Sequence, residues 1–129
     1  MKQYLRKLAM SLLLVSATTV FISAQTTAAG TATIGSDMVI HLDEASPLVA
    51  DYTFSITGLT FKSKEACERY FSLCRDNILS YTVNYDTKTA TVHLMLEYME
   101  PRGWGVKEYN EYFQKVSDRY RSTIQVVNE

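Results

Sequence analysis

The sequence predicts an α+β domain in which two helices pack on one face of a four-stranded antiparallel sheet. From residue 51 onward, four short segments carry the strand pattern, and three of them alternate clearly between apolar and polar residues. Two longer segments repeat apolar residues at spacings of three and four, the pattern of amphipathic helices. The segments follow one another in the order β-α-β-β-α-β, which indicates a single small domain at residues 51–129.

The strands are assigned from this pattern. YTFSIT places Tyr52, Phe54 and Ile56 on one face and its hydroxyl side chains on the other. LSYTVNY and ATVHLML alternate in the same way, and DTKT, residues 86–89, joins them as a hairpin turn. STIQVV, residues 122–127, is rich in β-branched residues and is predicted as the last strand. The face turned away from the helices is expected to expose Thr53, Ser55, Thr57, Ser80, Thr82, Asn84, Thr91, His93 and Met95.

The helices follow from their apolar stripes and their caps. The first begins after Ser63, a favourable N-cap residue, and carries Cys67 and Cys74 on its apolar stripe. The second is predicted at residues 106–121. With the strands, these stripes predict a core that contains Phe54, Ile56, Phe71, Leu79, Val83, Val92, Leu94, Phe113 and Val116.

This order of elements is that of the ferredoxin-like βαββαβ sandwich. Right-handed crossovers then determine which loops lie at the same end of the sheet. We expect residues 60–63 to lie near the hairpin turn at 86–88 and near residues 121–122. The loop that contains Trp104 is expected at the opposite end.

The two cysteines are predicted to be buried and unpaired. Cys67 and Cys74 are seven residues apart in one predicted helix, which places their Cα atoms about 10 Å apart. A disulfide requires a Cα separation below about 7 Å, so the two cannot bridge each other while the helix exists.

The first 24 residues have the pattern of a secretory signal peptide. Three cations lie within the first seven residues, an uncharged apolar run follows, and small residues offer a cleavage site after Ala24, with Ala29 as the alternative. The run is short for a bilayer and contains polar residues, so we expect no stable membrane insertion after cleavage. We therefore predict an exported protein, either periplasmic or secreted. Residues 25–50 are interpreted as a flexible leader, in which residues 38–44 alternate enough to form an additional strand.

Charge excludes one class of partner. Without the signal segment the chain has 10 basic and 14 acidic residues, a formal net charge of −4. A mildly acidic small domain lacks the basic surface that nucleic-acid binding requires.

The turn GLT at residues 58–60, together with the order and size of the elements, resembles the heavy-metal-associated domain, the small ferredoxin-like module of copper and zinc chaperones. The resemblance covers roughly residues 52–127. The loop of that family reads Gly-Met-Thr-Cys-x-x-Cys, and its two thiolates bind a soft metal. Phe61 and Lys64 occupy the two cysteine positions here, and neither can bind Cu(I) or Zn(II) as a thiolate does. The resemblance therefore implies the scaffold without the metal-binding activity.

Two other functions remain as alternatives. His41, His93 and Met95 are soft ligands, so a copper-binding protein that uses His and Met is one alternative. An enzyme is the second, but the sequence contains no nucleophile elbow, P-loop, HExxH or GxGxxG motif. We predict that the protein is not an enzyme and uses no cofactor.

The leading prediction is therefore a non-enzymatic binding module, whose partner is an unknown protein or a small polar ligand. Its candidate surface contains Trp104, which lies between two glycines, with Arg102 and Tyr109 nearby. Tyr, Trp and Arg are the residue types that most often anchor interfaces.

Overall fold

A computed structural model describes residues 28–129, and the predicted signal segment lies outside this range. The elements, in chain order, are β1 (Gly30–Ile34), β2 (Ile40–Leu42), β3 (Asp51–Ser55), α1 (Lys64–Cys74), β4 (Leu79–Asn84), β5 (Thr89–Leu94), α2 (Leu96–Met99), a 3₁₀ helix (Glu100–Arg102) and α3 (Val106–Val127).

The five strands form one mixed sheet in the order β2-β1-β3-β5-β4. β1 and β3 are parallel, and the other three neighbouring pairs are antiparallel. α1 packs on β4 and on α3, and α3 packs on β2. The predicted α+β class is confirmed, whereas the predicted four-stranded antiparallel, ferredoxin-like arrangement is wrong.

The predicted last strand is the C-terminal part of α3. Residues 122–127 continue the helix because its apolar stripe does not stop at residue 121. Tyr120 and Val127 are buried, and Ile124 packs against the core between them. Spacings of four and three keep these side chains on one helix face, and the packing outweighs the β preference of the branched residues.

The leader contains two strands of the sheet. Residues 30–34, predicted as flexible, form β1 between β2 and β3. Residues 40–42 form β2, within the segment where an additional strand was the open alternative. Ile40 and Leu42 are buried, and His41 between them is exposed. Both strands are short, and their stability depends on pairing with each other and with β3.

The core lies between the sheet and the helices, as the alternation predicted. All predicted core residues are buried except Val83 and Val116, which are half-buried. The predicted polar positions of β3, β4 and β5 are exposed or half-exposed on the opposite sheet face. This open face carries a continuous row of hydroxyl side chains, because Thr53 pairs with Thr91, and Thr91 with Thr82.

Both cysteines are free and buried, as predicted. Burial raises the pKa of the Cys67 thiol to about 11 and that of the Cys74 thiol to about 12. Both groups are therefore neutral thiols at ordinary pH.

The turn after β3 closes one end of the domain, here called the corner end. The Ile56 N–H donates to the Lys88 carbonyl over 2.9 Å, which places this turn beside the hairpin turn as predicted. The predicted proximity of residues 60 and 121 is confirmed, because Thr60 and Arg121 line one groove. The hydrogen bonds to the turn come from the residue that follows α3. The Asn128 side chain accepts from the Lys62 N–H over 2.9 Å and donates to the Thr60 carbonyl over 2.8 Å.

Candidate functional site

A cleft of about 570 Å³ lies at the end of the domain opposite the corner, and it is here called the Trp104 cleft. The turn between α1 and β4, the 3₁₀ helix and the first turns of α3 enclose it. Its apolar walls are Ile78, Met99, Trp104 and Tyr112. Its polar rim contains Asp76, Asn77, Arg102, Glu108, Glu111 and Lys115.

Two glycines position Trp104 in this cleft. Gly103 has a φ of 75°, the left-handed conformation that ends the 3₁₀ helix, and its N–H donates to the Glu100 carbonyl over 2.9 Å. A side chain with a Cβ would strain this residue. Gly105 is the N-cap of α3, and its N–H donates to the Glu108 carboxylate over 2.9 Å. The chain therefore turns sharply on both sides of Trp104.

The Trp104 ring packs against two tyrosine rings. Its centroid lies 5.2 Å from that of Tyr109, edge-to-face, and 5.9 Å from that of Tyr112. Trp104 is half-buried, but Tyr109 is 0% exposed, so the prediction that Tyr109 belongs to the interaction surface is wrong. Tyr109 instead supports the Trp104 ring from inside the domain.

A second, smaller cavity lies on the other side of Trp104. It measures about 240 Å³, and both Trp104 and Tyr109 line it together with Glu100. The buried Tyr109 hydroxyl has no hydrogen-bond partner within residues 28–129. The cavity is large enough for a water molecule or a polar group of a ligand, either of which would supply a partner.

Asp76 fixes the position of Tyr112 in the wall of the Trp104 cleft. One carboxylate oxygen of Asp76 accepts from the Ile78 N–H over 2.9 Å and from the Leu79 N–H over 3.1 Å. The other accepts from the Tyr112 hydroxyl and lies 3.5 Å from the Arg119 guanidinium. The pKa of Tyr112 is raised to about 12. Burial is the largest cause, and this hydrogen bond to a carboxylate is the second. Tyr112 is therefore a neutral donor, held in one orientation.

The remaining rim charges differ in their availability. Glu108 is engaged in capping α3, and the hydrogen bond from Gly105 lowers its pKa. Arg102 lies over the Tyr98 ring, with its guanidinium carbon 5.5 Å from the centroid. The side chains of Glu111 and Lys115 form no hydrogen bond or ion pair with the described part of the chain. The cleft thus presents apolar walls and free charges of both signs.

A second group of polar side chains lies on the open sheet face, and sequence reasoning missed it. The His93 Nδ1–H donates to an Asp51 carboxylate oxygen over 2.7 Å, and the Thr82 hydroxyl forms a hydrogen bond with His93 Nε2. The three residues stand on β3, β5 and β4, which are neighbours, and Asp51 pairs directly with His93. Their order is that of a nucleophile, a base and an orienting carboxylate. The side chains of His93 and Asp51 are 37% and 51% exposed, so water competes for each of these bonds.

The alternation in the sequence does show that His93 and Thr82 share this face. It does not give the register between β3 and β5, which brings Asp51 to His93 although 42 residues separate them. The sequence alone therefore offered no signal that Asp51 belongs to this group.

The structure separates His41 from His93, so the three proposed copper ligands do not form one site. His41 lies on β2, three strands away from His93 on β5, which is at least about 14 Å at the usual strand spacing. Met95 follows β5 and is exposed. In the part of the chain that the structure covers, no three side chains of His, Cys, Asp or Glu converge on a common point. At the positions of the family's cysteines, Phe61 packs against aromatic rings and Lys64 is exposed.

A comparison with known protein families, curated proteins and solved structures finds no match for this chain. None of the helices within residues 28–129 is both long enough and apolar enough to cross a membrane.

Proposed function

We propose that this chain is an exported, non-enzymatic binding module, and that the Trp104 cleft is its binding site. Export is inferred from the signal pattern of residues 1–24. The partner is an unknown protein or a small polar ligand, and no nucleic acid is involved, since the mature chain is acidic.

The shape and lining of the cleft support this proposal. Its volume of about 570 Å³ falls within the range of sites that bind small molecules or single side chains. Trp104 and Tyr112 form an aromatic wall, and Arg102 lies at the rim. These three residue types dominate the energetics of binding sites because each combines a large contact area with a polar group.

The same lining indicates the chemistry of the occupant. An aromatic or aliphatic group would contact Trp104, Tyr112 and Met99, while the charges at the rim would contact polar groups beside it. Glu111 and Lys115 are four residues apart on α3 and carry opposite charges, so the rim accepts either sign. A zwitterionic aromatic molecule, or an aromatic side chain within a charged peptide segment, fits these requirements.

The experiment is a titration of the ¹⁵N-labelled protein with indole, phenylacetate and phenethylamine. We expect chemical-shift changes at residues 76–78, 99–104 and 108–115, and a parallel change in the fluorescence of Trp104, the sole tryptophan. Fragments of this size bind weakly, with a Kd of about 1 mM. Shifts confined to the open sheet face, or no shifts at all, would refute the assignment of the cleft.

Charge variants give the matched controls. Lys115→Glu should weaken phenylacetate more than phenethylamine, and Glu111→Lys should do the reverse, because each removes the attractive charge for one fragment. Tyr85→Ala removes an aromatic ring at the corner end and should leave all three titrations unchanged.

The copper alternative is tested separately. The hydrogen bond to Asp51 orients the His93 ring, as a carboxylate partner does in metal-binding histidines. Native mass spectrometry after loading with Cu(I) or Zn(II) would detect stoichiometric binding. Retention of a metal that is lost in His93→Gln would favour this function over the proposed one.

The enzyme alternative rests on the group formed by Thr82, His93 and Asp51. We propose that it stabilises the sheet, because an exposed hydroxyl on an open face lacks the water-excluding site and the oxyanion donors that acyl transfer needs. Hydrolysis of p-nitrophenyl acetate that disappears in Thr82→Val would contradict this interpretation.

A further inference from the structure

The smaller cavity, of about 240 Å³, is here called the Glu100 cavity, and Trp104 is the one lining residue that it shares with the Trp104 cleft. Within the described part of the chain it is lined by Leu48, Leu96, Glu100, Trp104 and Tyr109. Glu100 is exposed and the other four are half-buried or buried, so the cavity reaches the surface beside Glu100. Sites for drug-sized molecules are larger, so this volume suits a group of a few heavy atoms.

The buried Tyr109 hydroxyl indicates that the cavity has an occupant. Within residues 28–129, only the hydroxyls of Tyr70 and Tyr109 are buried side-chain polar atoms without a hydrogen-bond partner. The Tyr70 hydroxyl has the Cys74 thiol beside it, which is a weak partner. Tyr109 lines a cavity instead. Because a buried hydroxyl is costly to leave unpaired, we expect the group that fills this cavity to pair with Tyr109.

The lining of the cavity favours a cation. Glu100 is the one lining residue with a formal charge, and it takes part in none of the ion pairs in the described part of the chain. The ring planes of Trp104 and Tyr109 are nearly perpendicular, at 83°, so one ammonium group can contact both rings. Aromatic rings attract cations, and a carboxylate beside them adds to the attraction. Burial raises the pKa of Tyr109, so its hydroxyl is neutral and its oxygen can accept a hydrogen bond.

We propose that the Glu100 cavity binds a primary ammonium group on a short aliphatic chain. The ammonium donates to the Glu100 carboxylate and to the Tyr109 oxygen, which gives the buried hydroxyl its partner. The aliphatic chain contacts Leu48 and Leu96. A free alkylamine and a lysine side chain of another protein both carry this group. Because Trp104 alone is common to the two cavities, this site does not depend on the proposed function of the Trp104 cleft.

A titration of the ¹⁵N-labelled protein with butylammonium gives the first test. We expect chemical-shift changes at the lining residues of the Glu100 cavity and none at residues 76–78 or 111–115, with a Kd of about 1 mM. Butyltrimethylammonium keeps the charge and the chain but has no N–H, so it should bind about fivefold more weakly. If the lining residues do not shift up to about 20 mM, twentyfold above the expected Kd, the proposal is refuted and the assignment of the Trp104 cleft is unaffected.

The two sources of the ammonium group are distinguished by a second ligand. Nα-Acetyl-lysine N-methylamide presents the same group on a peptide backbone. If it binds as tightly as butylammonium, the site accepts a lysine side chain of a partner protein. If only butylammonium binds, the ligand is a free amine.

Tyr109→Phe removes the hydroxyl and keeps the ring. It should weaken butylammonium about fivefold and abolish the preference over butyltrimethylammonium. Urea denaturation should show equal or higher stability, because an unpaired buried hydroxyl has been removed. A loss of stability with unchanged butylammonium binding would show that the hydroxyl holds a structural water only, which contradicts the proposal.

Glu100→Gln tests the charge. It should weaken butylammonium about fivefold and leave the weak binding of neutral 1-butanol unchanged. The matched control, Glu97→Gln, removes the same charge from an exposed residue of α2 that does not line this cavity, and it should leave butylammonium binding unchanged. Both positions are exposed, so folding is preserved. Equal weakening in the two variants would mean a general attraction to acidic residues and would contradict the site.

Discussion

The two ends of the domain are built from the same elements but in different ways. At the corner end, Phe61 fills the space above α1, with its ring centroid 5.5 Å from that of Tyr70. Asn128 then joins the turn to the end of α3 by two hydrogen bonds. At the other end, Trp104 stands on Tyr109 and Tyr112 and leaves a cleft of about 570 Å³ beside it.

This difference in packing indicates that the corner end contributes mainly to stability and the Trp104 end mainly to ligand binding. Aromatic rings lie at both ends, but those at the corner end face each other, whereas Trp104 and Tyr112 present part of their surface to the cleft. A change at the corner end should therefore alter stability without altering ligand binding. A change at the Trp104 end should weaken ligand binding more than it lowers stability.

The largest expected effect concerns the thiols, which lie near opposite ends of α1. Native labelling of both Cys67 and Cys74 by a bulky maleimide should be at least about 1,000-fold slower than labelling of the urea-unfolded chain, because each thiol reacts only after local or global opening. Peptide mapping separates the two rates. Rapid modification of Cys74 alone would show that the Trp104 end opens independently, and rapid modification of both would contradict the compact packing of α1.

Phe61→Ala should cost about 2–3 kcal/mol of unfolding free energy, below the range for a fully buried phenylalanine because Phe61 is half-buried. Urea denaturation measures the loss. The fragment titrations at the Trp104 cleft serve as the control and should not change. A loss below about 0.5 kcal/mol would mean that the corner does not depend on this ring.

Trp104→Ala should lower stability by only about 1–2 kcal/mol, because the ring is half-buried and the cleft already leaves one side open. Fragment binding, followed by NMR, should be lost. If stability falls by as much as a core truncation while the fragments still bind, Trp104 is a structural cover and the two ends are equivalent.

Asn128→Ala removes both hydrogen bonds to the turn and should cost about 1 kcal/mol, since the groups are exposed and water replaces the side chain. Gln125→Ala, an exposed position on the same helix, is the matched control. Equal stability of the two variants would show that these bonds do not hold the corner end closed.

The smallest effect is expected from Glu108→Gln at the start of α3. The hydrogen bond from Gly105 lowers the pKa of Glu108, so the folded state favours the ionised carboxylate. Its contribution is present at neutral pH and is lost as the pH falls through the folded-state pKa, below the ordinary value of 4.5. Between about pH 5 and pH 3, the free energy of unfolding should therefore decrease less steeply with falling pH for the variant than for the wild type. Parallel curves would exclude a capping role for this carboxylate.

The sequence predicted those elements whose pattern is local. β3, α1, β4 and β5 were placed correctly because each has a strong period and a clear turn at its ends. β1 was missed because only Ala32 and Ile34 in it face the core, and pairing on both sides supplies the remaining stability. The end of α3 was misassigned because β-branched residues were weighed above the continuing stripe through Ile124 and Val127.

The candidate site was predicted only in part. The glycines around Trp104 pointed to its loop, and Arg102 does lie at the rim. The wall formed by Asp76 and Tyr112 joins residues 36 positions apart, and no local pattern predicts such a contact. Tyr109 was assigned to the surface because it is a tyrosine close to Trp104 in the sequence, although its position on the helix turns it inward.

The strand order has a consequence for how fast the protein folds. The sheet consists of two hairpins, β1–β2 and β4–β5, and β3 lies between them as the central strand. Each hairpin closes over a short turn, whereas pairing of Asp51 with His93 closes a loop across 42 positions. Closure of long loops dominates the folding barrier, so insertion of β3 should be the slow step. Phe54→Leu in β3 should then slow refolding, and so should destabilising substitutions in the turn at residues 86–88, because that hairpin is already formed when β3 inserts.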